Sequence, residues 1–181
     1  MQRRDLLRLL GATAALPFLP RSADAALAFG QRVHQGVEGR GARLLRPDQT
    51  ALVSAIAEMI LPRTATPGAL DAGVPAFIDH LLAAWYPAEE RDQLLAGFAA
   101  IDKAAGGSFV GLPAAEQVAL LTRLDSGTGP AGSAEWAVRR IKSLTVYGYF
   151  TSELVVKSVT KDPIIPGHFE GCVATAGENG G

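Results

Sequence analysis

The stretch VPAFIDHLLAAW, residues 74–85, carries the clearest helical pattern in the chain. Its apolar residues recur at the spacing i, i+3, i+4, i+7, i+8 and i+11, which places them on one face of an α-helix. They are Val74, Phe77, Ile78, Leu81, Leu82 and Trp85, with Asp79 and His80 between them. A helix with one apolar face buries that face against other elements, so this stretch predicts a packed helical domain.

Four further segments have the same periodicity, at residues 47–61, 87–105, 113–126 and 133–157. Each begins at a proline or serine, which favour the first positions of a helix, and glycine or proline follows the first three. In the 113–126 segment the side chains predicted to point inward are Val118, Leu120, Leu121 and Leu124. No segment alternates convincingly at period two. The sequence therefore predicts an all-α fold, a single bundle of about five helices with an irregular C-terminal tail.

The chain divides into four parts by composition. Residues 1–25 have the layout of an export signal, and residues 26–46 are rich in Gly and Arg with few apolar side chains, which predicts a mobile linker. Residues 47–157 form the helical domain. Residues 158–181 contain prolines and glycines that oppose helix formation, which predicts an extended tail.

The first residues, MQRRDLLRLLGATAALPFL, place a basic start before an apolar run. Arg3 and Arg4 resemble the paired arginines of a twin-arginine signal, which is recognised by the twin-arginine translocase. The small residues Ala23-Asp24-Ala25 suit a processing site. The apolar run, residues 9–19, is shorter than the ~20 residues that span a bilayer, so a permanent anchor is the less favoured interpretation.

Composition bounds the function. Hydrophobic residues make up 48% of the 181 residues and charged residues 19%, which suits a folded domain and argues against disorder. The formal net charge of −1 becomes −3 without residues 1–25, because that segment holds four arginines and two aspartates. A negative balance predicts no nucleic-acid partner.

Motifs for nucleotide, haem, zinc or serine-hydrolase chemistry are absent from the sequence, and its three histidines lie far apart. We therefore assign no catalytic, cofactor-binding or metal-binding residue. The Glu89-Glu90 pair predicts a solvated first helical turn, and Arg139-Arg140 either a solvated face or a contact with an acidic partner. Cys172 is the single cysteine, so it is buried, free or bridged to another chain.

Three segments together resemble the gluconate 2-dehydrogenase subunit 3 family. One is the twin-arginine start; the second is ILPRTATPGALDAGV, residues 60–74, similar to the family's proline turn and T-P-G-A-x-x-A-G-V loop. The third combines YGYFTSE at 147–153 with PGHFEGC at 166–172, similar to the family's aromatic-T-S-E segment and terminal aromatic-x-G-C. The resemblance extends from about Leu45 to Cys172.

This resemblance implies a non-catalytic small subunit of an exported FAD-dependent dehydrogenase that oxidises a sugar, sugar acid or glycoside. The flavin belongs to a large glucose-methanol-choline-type flavoprotein, and a cytochrome c subunit with haem c often accepts the electrons. The small subunit supports folding and twin-arginine export of that partner. The implied location is the periplasm, with membrane association through the complex.

Other interpretations stay open. The chain is alternatively an independent periplasmic enzyme without a recognisable motif, or an exported scaffold or binding protein. The T-P-G-A-L-D-A-G-V turn, residues 66–74, either only shapes the chain or also contacts a partner. For the tail we expect docking on the large subunit, since its apolar side chains need cover and its cysteine has no partner within the chain. The side chains concerned are Ile164, Ile165, Phe169 and Cys172.

Overall fold

The computed structural model describes residues 22–38 and 43–160 of the chain. Within these ranges the protein is all-α and contains no β-strand. Its helices are α1 (Ala23–Glu38), α2 (Pro47–Ile60), α3 (Val74–Ala84), α4 (Ala88–Ala104), α5 (Ala114–Ser126), α6 (Ala134–Thr151) and the short α7 (Glu153–Val155). A 3₁₀ turn, Phe109–Gly111, precedes α5, and a π-helical turn, Val156–Thr160, follows α7.

Local chemistry sets most helix starts. Pro47 occupies the first turn of α2, where its missing N–H costs no intrahelical hydrogen bond. Gly73 precedes α3 in the left-handed region, with φ of 69°, a conformation that glycine adopts without strain. Ser133 caps α6 through its side chain, which accepts a hydrogen bond from the Trp136 amide. All five helices predicted from periodicity are confirmed.

Helix α6 lies at the centre of the bundle and packs against each of α1 to α5. Two close approaches show how tightly it is enclosed. A Cβ atom placed on Gly97 of α4 would lie 2.5 Å from the Ala137 Cβ, and one placed on Gly148 would lie 2.7 Å from the Phe77 ring. Only glycine fits at these two crossings, so α6 cannot move outward or inward without loss of packing.

The prediction of a linker at residues 26–46 is wrong for its first half, because α1 covers Ala23–Glu38. Phe29, Gly30 and Val33 are buried, and α1 packs against α3 and α6. Gly30 meets Thr151 and Gly36 meets His80, each without room for a Cβ atom. The glycines therefore let α1 approach the bundle closely, although a Gly-rich composition with few apolar side chains had predicted a linker.

Three smaller differences also follow from tertiary packing. The described residues hold seven helices rather than about five, since α1 and α7 add to the predicted set. Val118 was expected inside but is 54% exposed, and it lines a surface groove between α5, α2 and α6. Asp79, expected between the apolar positions of its helix, is buried and accepts hydrogen bonds from the Leu44 and Leu45 amides at 2.7 and 2.8 Å.

Candidate functional site

The turn that joins α2 to α3, residues 61–73, is held first by a carboxylate from α2. Glu58 Oε1 accepts a hydrogen bond from the Arg63 amide at 3.0 Å, and Oε2 accepts one from the Leu70 amide at 3.1 Å. One side chain therefore ties the incoming and outgoing arms of the turn together. Two of the turn's backbone donors are thus satisfied by this carboxylate in place of regular secondary structure.

A second carboxylate closes the turn from within. Asp71 accepts a hydrogen bond from the Gly68 amide at 2.9 Å and binds the Arg63 guanidinium through Nε, at 2.7 Å, and through a second nitrogen. The Arg63 side chain is 71% exposed, so water screens this ion pair. We infer that Asp71 shapes the turn mainly through its bond to the backbone.

Helix α6 supplies the third support. The buried Tyr149 donates its hydroxyl proton to the Pro67 carbonyl at 2.7 Å. At the next residue, a Cβ atom on Gly68 would lie 2.6 Å from Glu58 Oε1 and 2.7 Å from the Arg63 nitrogen. The Pro67-Gly68 pair is therefore held by the protein's own contacts, which supports the interpretation of this turn as a structural element.

The outer side of the same turn presents apolar surface. Leu70 is 49% exposed and Leu154, just after α6, is 43% exposed. Leu70 lines a groove of about 650 Å³ and Leu154 lines another of about 590 Å³; Val37 and Gly73 belong to both grooves. We name the surface formed by Val37, Leu70, Gly73 and Leu154 the motif face, because it joins the 60–74 stretch to the 147–153 stretch and its continuation.

Charged groups surround the motif face. Glu38, Asp71, Glu153 and Lys157 line the groove that contains Leu154. Lys157 forms an ion pair with Glu153 and thereby lowers the pKa of that carboxyl, although both side chains are largely exposed. The border of the Leu154 groove is thus mainly acidic, whereas Arg43 lines the groove that contains Leu70. An apolar centre with a polar rim is the usual arrangement of surfaces that bind other proteins.

His34 lies at the edge of this face and links α1 to α6. Its Nε2 donates a hydrogen bond to the Gly148 carbonyl at 2.9 Å, and its ring packs on Phe77 with 4.6 Å between ring centroids. Burial lowers the pKa of His34 below its usual value of 6.5, against smaller opposing effects of the Gly148 carbonyl and Glu38. The folded protein therefore favours the neutral imidazole.

This lowered pKa predicts an acid-sensitive stability. At pH values above the unfolded-state pKa of 6.5, His34 makes its full contribution to the free energy of unfolding. As the pH falls below that value, the unfolded chain binds a proton that the folded chain resists, so stability decreases until the lower folded pKa is passed. We expect the urea midpoint to fall between pH 7.5 and pH 5, and to fall less in His34→Gln, which keeps a donor but does not titrate.

Equal declines in the parent protein and in His34→Gln would show that other groups cause the acid sensitivity. The quantity compared is the difference in urea midpoint between the two proteins at each pH. The titrations of carboxylates that both proteins share then cancel.

Both arginines of the 139–140 pair have partners within the chain, although Arg139 stays partly exposed. Arg140 is buried, with its NH2 group 3.0 Å from Glu90 Oε2 and its guanidinium carbon 5.3 Å from the centre of the Trp136 ring. Arg139 donates a hydrogen bond to the Gly127 carbonyl. Glu90 consequently faces Arg140 and is only 23% exposed, so the expectation of a solvated pair is wrong for Glu90 and holds for the exposed Glu89.

The sequence-predicted site residues lie outside the described residues. These are Arg3, Arg4, Ile164, Ile165, Phe169 and Cys172. The structure instead brings together residues that the sequence argument did not select, above all Glu58, Tyr149 and Leu154. Tyr149 lies within the aromatic-T-S-E segment, so that motif contained a signal for it. Glu58 had none, because a carboxylate near the end of a helix is ordinary.

No cluster of three or more His, Cys, Asp or Glu side chains suited to a metal ion occurs in residues 22–38 and 43–160. Each helix in that part of the chain is too short or too polar to cross a membrane.

A family model described as gluconate 2-dehydrogenase subunit 3 matches residues 47–167, more than half of the chain. The chain belongs to the gluconate 2-dehydrogenase subunit 3 family. This confirms the resemblance found in the 60–74 and 147–153 stretches. No curated protein and no solved structure matches the chain significantly.

Most of the motif face lies within the region that matches the gluconate 2-dehydrogenase subunit 3 family. The matched region begins at α2 and includes the 61–73 turn, α6 and Leu154. Helix α1 precedes the matched region, yet it provides Val37 at one edge of the motif face. The candidate site is therefore built mainly from family sequence and completed by a helix of this chain.

Proposed function

We propose that this chain is the non-catalytic small subunit of an exported FAD-dependent dehydrogenase that oxidises a sugar, sugar acid or glycoside. It supports the folding and twin-arginine export of a flavoprotein subunit. Family membership is the observation that carries the proposal, because the family is described as the third subunit of gluconate 2-dehydrogenase. The paired Arg3 and Arg4 supply the export part.

The chemistry of the complex belongs to its other subunits under this proposal. The FAD lies in a large subunit of the glucose-methanol-choline type, and a cytochrome c subunit carries haem c and accepts the electrons. The complex works in the periplasm and meets the membrane through its partners. No residue of the small subunit is assigned to catalysis.

The motif face is the docking surface that the described residues support best. Its centre is apolar and about half exposed, and its backbone is held by Glu58, Asp71 and Tyr149 before any partner arrives. A surface arranged in advance loses less conformational entropy on binding. We propose that the tail side chains Ile164, Ile165 and Phe169 extend this contact, and that Cys172 offers a bond to the partner.

Aspartate at Leu70 or Leu154 is expected to weaken assembly. Each substitution places a charge where apolar contact is proposed, and losing a central interface residue that dominates binding costs about 2 kcal/mol or more, which is more than a tenfold loss of affinity. Co-purification with the co-expressed flavoprotein measures the effect. Val110→Asp is the matched control, because Val110 is also 43% exposed but belongs to the 3₁₀ turn outside the motif face.

If Leu70→Asp and Leu154→Asp retain the flavoprotein as well as Val110→Asp does, the motif face is not the docking surface. A chain that ends after Thr160 tests the tail in the same assay and keeps every described residue. Loss of the flavoprotein in that chain supports docking by the tail. Full retention would limit the interface to the helical domain.

Changing Arg3 and Arg4 to lysine is expected to leave the dehydrogenase in the cytoplasm, because the proposed flavoprotein partner travels on this signal. We expect periplasmic activity to fall at least about tenfold, with unchanged activity in whole-cell lysates. Fractionation followed by a dye-linked assay with gluconate and glucose measures both. Arg8→Lys is the matched control within the same segment. Normal periplasmic activity in the double variant would contradict the escort role.

A further inference from the structure

The beginning of α1 coincides with the expected processing site of the export signal. The small residues Ala23-Asp24-Ala25 suit cleavage of the bond between Ala25 and Ala26. In the folded protein, however, α1 begins at Ala23, so this bond lies in the first helical turn. Ser22 holds the turn, since its side chain accepts a hydrogen bond from the Ala25 amide and its carbonyl accepts one from the Ala26 amide.

The residue after the bond is also tied to the centre of the bundle. The Tyr147 hydroxyl donates a hydrogen bond to the Ala26 carbonyl, and Tyr147 is only 1% exposed. Ala26 itself packs against the core. Further along the helix, Phe29 packs edge-to-face on Trp85 with ring centroids 5.1 Å apart. Unwinding the first turn therefore breaks contacts that reach the buried part of α6.

Cleavage of a peptide bond requires access to its backbone. Peptides commonly bind other proteins in an extended form, through the same main-chain groups that a helix uses internally. A folded segment is therefore cut through its locally opened state, at a rate set by the population of that state. Hydrolysis adds water across the Ala25–Ala26 amide, leaving a carboxylate on Ala25 and an amino group on Ala26.

We propose that docked α1 protects the Ala25–Ala26 bond, so that removal of the export signal requires this helix to undock. This inference rests on the export signal of the proposed function. A chain that folds before export carries the protected bond across the membrane. The segment before Ala26 then stays attached to the subunit for as long as α1 remains docked.

Purified full-length protein and solubilised signal peptidase test the proposal directly. Gly30→Val is expected to undock α1, because a Cβ atom at Gly30 would lie 2.5 Å from the Thr151 side chain. Tyr147→Phe removes only the hydroxyl that binds Ala26. Ala28→Val adds the same branched side chain on the exposed side of α1 and is the matched control. Intact mass follows cleavage between Ala25 and Ala26.

We expect the parent protein and Ala28→Val to be cut at least about tenfold more slowly than Gly30→Val, with Tyr147→Phe between them, since about 1.4 kcal/mol of lost docking energy changes the open population tenfold. Equal rates for the parent protein and Gly30→Val would overturn the protection. A synthetic peptide of residues 10–32 gives the cleavage rate of the same bond without the helical bundle. If the peptidase leaves that peptide intact, the bond is not a processing site and the proposal fails, while the Arg3 and Arg4 experiment separately decides the export function.

Discussion

Replacing Glu90 with alanine is expected to lower the free energy of unfolding by about 3–5 kcal/mol, a large fraction of the stability of an ordinary domain. Glu90 Oε2 lies 3.0 Å from the NH2 group of Arg140, whose side chain is 5% exposed. Removing the carboxylate leaves a buried guanidinium without its counterion.

The surroundings of Arg140 increase this dependence. Its guanidinium carbon lies 5.3 Å from the centre of the Trp136 ring and 5.8 Å from that of the Tyr86 ring. Its Nε and NH1 groups are buried without a hydrogen-bond partner among the described residues. The Glu90 carboxylate is thus the principal polar group that offsets the cost of burying the charge. The aromatic faces attract the cation, but they do not neutralise its charge as a carboxylate does.

Urea unfolding monitored by circular dichroism measures the effect. Glu89→Ala is the matched control, because the neighbouring side chain is exposed and its loss should change stability by less than about 0.5 kcal/mol. The double variant Glu90→Gln with Arg140→Met removes both charges and should recover most of the loss. Similar midpoints for Glu90→Ala and Glu89→Ala would show that the buried ion pair contributes little.

Phe77→Ala should cost about 3–5 kcal/mol as well, because it opens a cavity where three helices meet. Phe77 is fully buried, and its ring packs on His34 of α1 and lies 5.7 Å from the Tyr147 ring of α6. Gly148 approaches the same ring so closely that a Cβ atom would not fit. The ring therefore fills the space that joins α1, α3 and α6.

The local stability lost in Phe77→Ala should be largest in α1. Hydrogen exchange of residues 23–38 is expected to accelerate more than that of α4, since the Phe77 ring packs directly on His34 of α1. Phe77→Leu keeps most of the apolar volume and should cost less than about 1.5 kcal/mol. If alanine and leucine destabilise the protein equally, packing around this ring is not what holds α1 in place.

Part of the candidate site was predictable from the sequence. The 60–74 stretch predicted a turn before α3, and Gly73 does precede that helix in the left-handed conformation. The exposed position of Leu70, and the two neighbouring grooves that Leu70 and Leu154 line, were not predictable, because they depend on how the helices pack. The tail residues from Ile164 to Cys172 remain predictions, since they lie outside the described residues.

The sequence by itself determined the helices with regular apolar spacing, from α2 to α6, and the prolines, Ser133 and Gly73 that begin them. These features follow from interactions within about four residues of the chain, which a linear pattern records. Family membership was also visible in the sequence, because the quoted stretches keep their residue types and spacing.

Only the tertiary structure decided the fate of α1, the arginine pair and the histidine at the edge of the motif face. The contacts concerned join residues far apart in the chain: 50 residues for Glu90 and Arg140, 114 for His34 and Gly148, and 121 for Ala26 and Tyr147. A glycine-rich segment becomes a docked helix when its glycines meet Thr151 and His80. Burial makes Arg140 depend on the Glu90 carboxylate, and it lowers the pKa of His34. Neither effect exists in water, since the energy of a charge depends on what surrounds it.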